Sequence, residues 1–270
     1  MVNLIFVSII QEYYYNILML EYIKYYTNIL HQYHSQKKIG LLPNPKPIID
    51  FNNKLNLYLF NVYGLNKHKQ EIVIARYNES IDGWKPFLPI STIYNKGDNN
   101  LNVSSISLDN IGRESHTYLY HIIHNWDNLA DTTLFTQCNL SFDHKPFPIS
   151  LYLLSNLDLT IHLWNNNIDF KNNIPWGFLQ HGGKWLKEYN NGDIRKSKDT
   201  FGSWWDKYIN IDRPQLNAFI WSHGAIFSVK KELIKKKPLH YYQNLLNTIN
   251  DCKNPEEGHY LERSWYYIFK

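Results

Sequence analysis

A chain of 270 residues that is 44% hydrophobic and 16% aromatic can bury a sizeable core, which excludes a largely disordered protein. A formal net charge of +4, with no long run of Lys or Arg, excludes the concentrated basic face by which nucleic-acid binders are recognised. Two cysteines, Cys138 and Cys252, stand far apart in no metal or redox spacing; a disulfide framework is excluded and a cytosolic setting is expected.

Residues 1–10 are apolar but lack a basic leader and a small-residue cleavage site, so no secretory signal is expected, and no uninterrupted apolar run reaches membrane-spanning length. Over residues 14–30, Tyr14, Ile17, Leu18, Tyr22, Tyr25, Tyr26 and Ile29 recur at helical spacing and predict an amphipathic helix. A proline-containing linker at 40–47 and a strand at 55–63 complete an N-terminal extension, residues 1–70. The main domain, 71–270, opens on Ile72-Val73-Ile74-Ala75, an apolar run of the buried parallel-strand type that ends abruptly in Arg76-Tyr77-Asn78-Glu79. A second strand is predicted over 90–94, closed by Asn95-Lys96-Gly97. Asn110 is placed to cap a helix over 112–124, and another strand follows at 132–136. Strand, helix and strand in that order imply an α/β fold with a mostly parallel central sheet, whose ligands gather at the carboxyl ends of its strands. Beyond Asp143 the pattern loosens into Pro-, Gly- and Trp-rich loops up to about residue 214. A late strand and turn are predicted within 219–229, helices over 231–236 and 239–249, and a short helix or strand over 258–269.

Charged and amide groups directly after a buried strand stand at the ligand-binding rim of a sheet. Asn78 and Glu79 suit ribose hydroxyls or a base edge there, and Arg76 suits phosphate. Asn110-Ile111-Gly112-Arg113-Glu114-Ser115-His116 starts a helix whose free amides attract anions, with Gly112 and Arg113 placed for a diphosphate; Glu114 and His116 fit equally well as first-turn residues. Gln137, Cys138 and Asn139 close another strand, and Cys138 lacks the orienting acid that a nucleophile needs. Asp143 and His144 could join His223 or His259 around a divalent metal, although no zinc-like spacing is present. Small residues after His223, Gly224 foremost, suit a wall close to a ligand, and Glu257 or Glu262 suits a general base. Glu262 with Arg263 is equally readable as an internal pair.

The ordered blocks Arg76 to Glu79, Tyr94 to Gly97, Ile111 to Leu119, Phe135 to His144, His223 to Val229 and Pro255 to Trp265 resemble an uncharacterised domain family of fungi, plants, bacteria and large DNA viruses. That family is in turn similar to glycosyltransferases of the GT-A fold. The resemblance implies a Rossmann-like sheet flanked by helices, a nucleotide sugar as donor, and a glycan or protein acceptor, in the host cytoplasm if the source is viral. It also implies Mn²⁺ or Mg²⁺. It places the nucleoside on Arg76, Asn78 and Glu79, and the diphosphate on Gly112 and Arg113. Gln137 and Asp143 would hold the donor sugar or the metal, and His223, Glu257 or Glu262 would lie on the acceptor side. One departure stands out: such enzymes carry Asp-x-Asp where this chain has Gln137-Cys138-Asn139, and neutral amides are poor ligands for a hard cation. Replacement of the pair by Asp143, neutralisation of the phosphate by Arg113 without metal, and a binding module without activity all stay open at this point.

Overall fold

A computed structural model of the chain describes residues 66–98, 100–139, 158–161, 176–215, 219–221 and 223–270, all within one compact unit, Asn56–Lys270. The expected N-terminal helix, linker and first strand lie outside these residues, as do Asp143 and His144, and only the backbone of His223 is described.

The apolar run at Ile72 forms β1 (Gln70–Arg76), and the second expected strand forms β2 (Ser91–Asn95). A two-residue strand, β3 (Ile106–Ser107), follows, then β4 (Thr132–Gln137), β5 (Leu159–Ile161) and β6 (Phe227–Lys230). They form one sheet in the order β3-β2-β1-β4-β6-β5. β1 pairs in parallel with both β2 and β4, and β2 with β3; β6 is antiparallel to β4 and to β5, so β6 alone runs against the others. The helices are α1 (Arg113–His124), α2 (Gly183–Asn191), α3 (Phe201–Trp204), α4 (Lys231–Lys235), α5 (Leu239–Asn247) and α6 (Glu256–Phe269).

Burial on both faces explains why β1 reads as a continuous apolar run rather than an alternating one. Ile72 and Ile74 point to one side, where the 3₁₀ segment Asp82–Ile90 packs Trp84, Phe87 and Ile90 over them. Trp84 Nε1 donates to the Cys138 carbonyl at 2.9 Å, which ties that cover to the end of β4. Val73 points to the opposite side, into a larger core with Tyr118, Leu119 and Ile122 of α1, Leu245 of α5 and Trp265 of α6. Each such fully buried side chain contributes about 1.5–3 kcal/mol, so this face supplies most of the cohesion.

Two stretches depart from the sequence reading. The C-terminal segment, open between helix and strand, is helical from Glu256 onward and buried almost all round. The Trp-rich stretch expected as loops contains α2 and α3, and α3 runs on as a π-helical turn, Trp205–Ile209. Its aromatics join the larger core. Trp176 stacks on Phe201, with centroids 5.4 Å apart, and meets Trp205 edge-on at 5.2 Å.

Candidate functional site

After β1 the chain moves outward to β2 and β3, then returns through α1 to β4 on the opposite flank of β1. Connections therefore diverge at the carboxyl ends of β1 and β4, the kind of switch point at which open α/β sheets bind ligands. A cavity of about 500 Å³ lies there, and its walls include Arg76, Glu79, Lys96, Arg113, Glu114 and Gln137. Six sequence-predicted residues from four separate segments thus meet at one cleft.

The rim is built by hydrogen bonds that use up several of those groups. Arg76 donates to Asn95 Oδ1 at 2.6 Å and to the carbonyls of Tyr77, Glu79 and Asp98 at 3.0, 2.9 and 3.2 Å, so its guanidinium clasps two loops together. Asn78 Oδ1 accepts the Asp98 N–H at 2.8 Å, and Glu79 Oε2 accepts the Tyr77 N–H at 2.7 Å. Gly97 fits between these loops because it lacks a side chain: a Cβ there would fall 1.8 Å from the Tyr77 carbonyl oxygen.

The start of α1 differs from the expected Asn110 cap. Gly112 (φ 60°) caps it, and Arg113 (φ 54°) is also left-handed, an uncommon conformation for a residue with a Cβ. Lys96 fastens this turn, donating from Nζ to the carbonyls of Ile111 at 2.6 Å and Arg113 at 2.5 Å. The Gly112 N–H donates to the Cys252 carbonyl at 2.8 Å, which draws the loop residues Lys253 and Asn254 to the cavity wall.

Arg113 itself is held on three sides. Its Nη1 donates to His259 Nε2 at 3.0 Å, its Nε lies 3.6 Å from Glu114 Oε2, and its guanidinium sits 4.5 Å from the centre of the Trp185 ring. Accepting from Arg113 requires a neutral His259. Burial, followed by the charges of Arg113 and Arg263, drives its pKa far down and keeps it so.

Burial also pushes the Lys96 ammonium down to about 7, with the negative charge of Glu114 working the other way. An unfolded chain binds that proton up to about pH 10.4. Between the two values the unfolded state holds more protons, so stability is expected to rise with pH, by at most about 1.4 kcal/mol per unit, and the burial penalty is felt in full below pH 7. Urea unfolding of wild type and Lys96→Met at about pH 6 and about pH 9 checks this: the wild type should gain on the variant at the higher pH. A constant difference would refute it.

The remaining predicted residues do not line the cavity. Glu257 is gripped by Arg195 through both oxygens, at 3.3 and 2.9 Å. Its buried neighbour Glu256 accepts the Ser197 N–H at 2.8 Å and lies 3.0 Å from His181 Nε2. Glu262 Oε1 accepts the Gly224 N–H at 2.7 Å, fixing another left-handed pair, Gly224 and Ala225. Burial raises the Glu262 pKa, with Arg263 opposing and Glu114 adding to the rise. Arg263 donates to the His259 carbonyl at 2.9 Å and lies over Trp221. His116 is buried on α1, its pKa lowered to about 4 by burial and then by Lys96. Asn139 is exposed beyond β4, and Cys138 is buried, its thiol pushed up to about 12, which suits packing rather than nucleophilic attack. Among the described residues no three His, Cys, Asp or Glu side chains gather as a metal set.

Sequence reasoning misses Lys184, Trp185, Glu188 and Asp193, which wall the cavity from α2 and its exit, and Lys253 and Asn254. No local pattern marks them; only the tertiary fold brings them in.

Fold and cavity together define an α/β domain with a charged cleft at the switch point of a mostly parallel sheet. Residues 72–270 match a family described as a protein of unknown function (DUF3431), and the chain belongs to that family. No curated protein and no solved structure matches the chain.

Proposed function

We propose that the protein is a glycosyltransferase that moves a sugar from a nucleotide diphosphate donor to a hydroxyl acceptor. The observation that carries this reading is the convergence of Lys96, Arg113 and Lys253 on one cleft, with the bonds of Lys96 going to uncharged carbonyls. A cation held by carbonyls rather than by a matching carboxylate favours a phosphorylated ligand. A volume of about 500 Å³ suits a small organic ligand.

In this reading Tyr77, 45% exposed, and Glu79 face the nucleoside, while Arg76 and Asn78 hold their loop in shape. Arg113 stabilises the diphosphate as the anomeric carbon–oxygen bond breaks and its electron pair leaves with the nucleoside diphosphate. Gln137 lies by the donor sugar. The acceptor hydroxyl oxygen bonds the anomeric carbon and its proton passes to solvent; Glu262, off the cavity wall and accepting the Gly224 N–H, holds the Gly224–Ala225 turn. Glu257, occupied by Arg195, is assigned to positioning α6.

A binding module for carbohydrate or protein is the second reading, favoured by Gln137 at the end of β4 in place of a carboxylate. Calorimetric titration separates the two. Nucleotide sugars should bind the transferase, whereas binding of free glycans alone would sink the transferase reading and leave the module.

A further inference from the structure

We infer, resting on that reading, that the cleft takes the diphosphate of its ligand directly on Lys96, Arg113 and Lys253, with no divalent cation between ligand and protein. The GT-A resemblance implies Mn²⁺ or Mg²⁺, but the described residues at this cleft do not fit one. β4 ends in Gln137, whose amide is a weak ligand for a hard cation. The next residue, Cys138, is buried and bonded through Sγ to the Ser80 carbonyl at 3.6 Å.

Among the described carboxylates at the cavity, Glu79, Glu114 and Glu188 are engaged, and Asp193, at the exit of α2, joins no set of three His, Cys, Asp or Glu side chains that could hold a metal. Glu79 holds the Tyr77 N–H at 2.7 Å, Glu114 lies 3.6 Å from Arg113 Nε, and Glu188 lies 3.4 Å from Lys184 Nζ. The three cations come from three segments: the loop after β2, the first turn of α1, and the loop after α5. Each is anchored. Lys96 is fixed by two carbonyls, Arg113 by His259 and Trp185, and Lys253 follows Cys252, whose carbonyl accepts the Gly112 N–H. Lys253 is exposed, 5.6 Å from the Tyr77 ring centre, and pairs with no carboxylate among the described residues. A dication entering beside Lys96 and Arg113 meets repulsion, while a diphosphate meets preorganised donors.

The test is calorimetric titration of the full chain with inorganic pyrophosphate, in EDTA and again with Mn²⁺. Binding in EDTA is expected, changing by no more than about threefold with Mn²⁺, and Lys253→Met should weaken it by roughly tenfold. Lys253 is exposed, so this variant tests the subsite without disturbing the core. Binding only with Mn²⁺, or no binding in either buffer, overturns the inference. Nucleotide-sugar binding that needs Mn²⁺ would sink the inference and keep the transferase. Pyrophosphate binding in EDTA without nucleotide-sugar binding would do the reverse.

Discussion

Replacing Arg113 with Ala should lower turnover of a nucleotide sugar by on the order of 10², the size of effect seen when one preorganised donor is removed from a developing charge. The expectation rests on how completely the side chain is positioned before any ligand arrives. His259 fixes Nη1, Trp185 covers the guanidinium face, and the side chain is 18% exposed. Arg113→Lys keeps the charge but loses the planar fork and its stacking, so it should recover only part of the rate. Backbone strain supplies a control. Arg113 has φ 54°, so Arg113→Gly removes the same guanidinium while relieving about 1 kcal/mol of left-handed strain. Turnover should be low in both variants, and unfolding should separate them, with Gly the more stable. Normal turnover in a folded Arg113→Ala protein would remove Arg113 from the mechanism.

The parts of the fold legible in the sequence are those whose local pattern and tertiary role agree. β1 is an apolar run because the sheet is covered on both faces, β2 and β4 carry β-branched and aromatic residues around a short apolar centre, and α1 shows its buried stripe at Tyr118, Leu119 and Ile122. α2 is short, and none of its residues is buried: Trp185, Leu186 and Tyr189 make one apolar face within nine residues bounded by glycines, too little to stand out from the loops around it. α3 is hidden because it is only four residues long: Phe201, Trp204 and Trp205 keep helical spacing, but the π-helical turn from Trp205 ends the pattern after a single turn. The strand ends point to Arg76, Glu79, Lys96, Arg113 and Gln137 because chemistry follows directly after strands in such sheets. Their individual roles are not legible. Arg76 spends its donors on loop carbonyls, and the Gly112 amide goes to Cys252, contacts that depend on long-range closure.

Gly97→Ala should destabilise the protein by about 3 kcal/mol, lowering the midpoint of thermal unfolding by roughly 8 °C. Gly97 has no left-handed backbone, so the penalty comes from space rather than conformation. An added Cβ would sit 1.8 Å from the Tyr77 carbonyl oxygen and 2.2 Å from Asn78 Oδ1. The first of these is backbone and cannot swing aside, so the loop carrying Tyr77 and Glu79 must move. That movement pulls on the Arg76 bonds to the Tyr77 and Asp98 carbonyls, which couples the stability loss to the shape of the cleft. Ligand affinity should therefore fall along with stability. Gly83→Ala is the matched control, because nothing lies within 4 Å of a Cβ there, and it should change stability by no more than about 0.5 kcal/mol. Equal midpoints for the two variants would show that the Tyr77 and Gly97 loops are not packed against each other in solution.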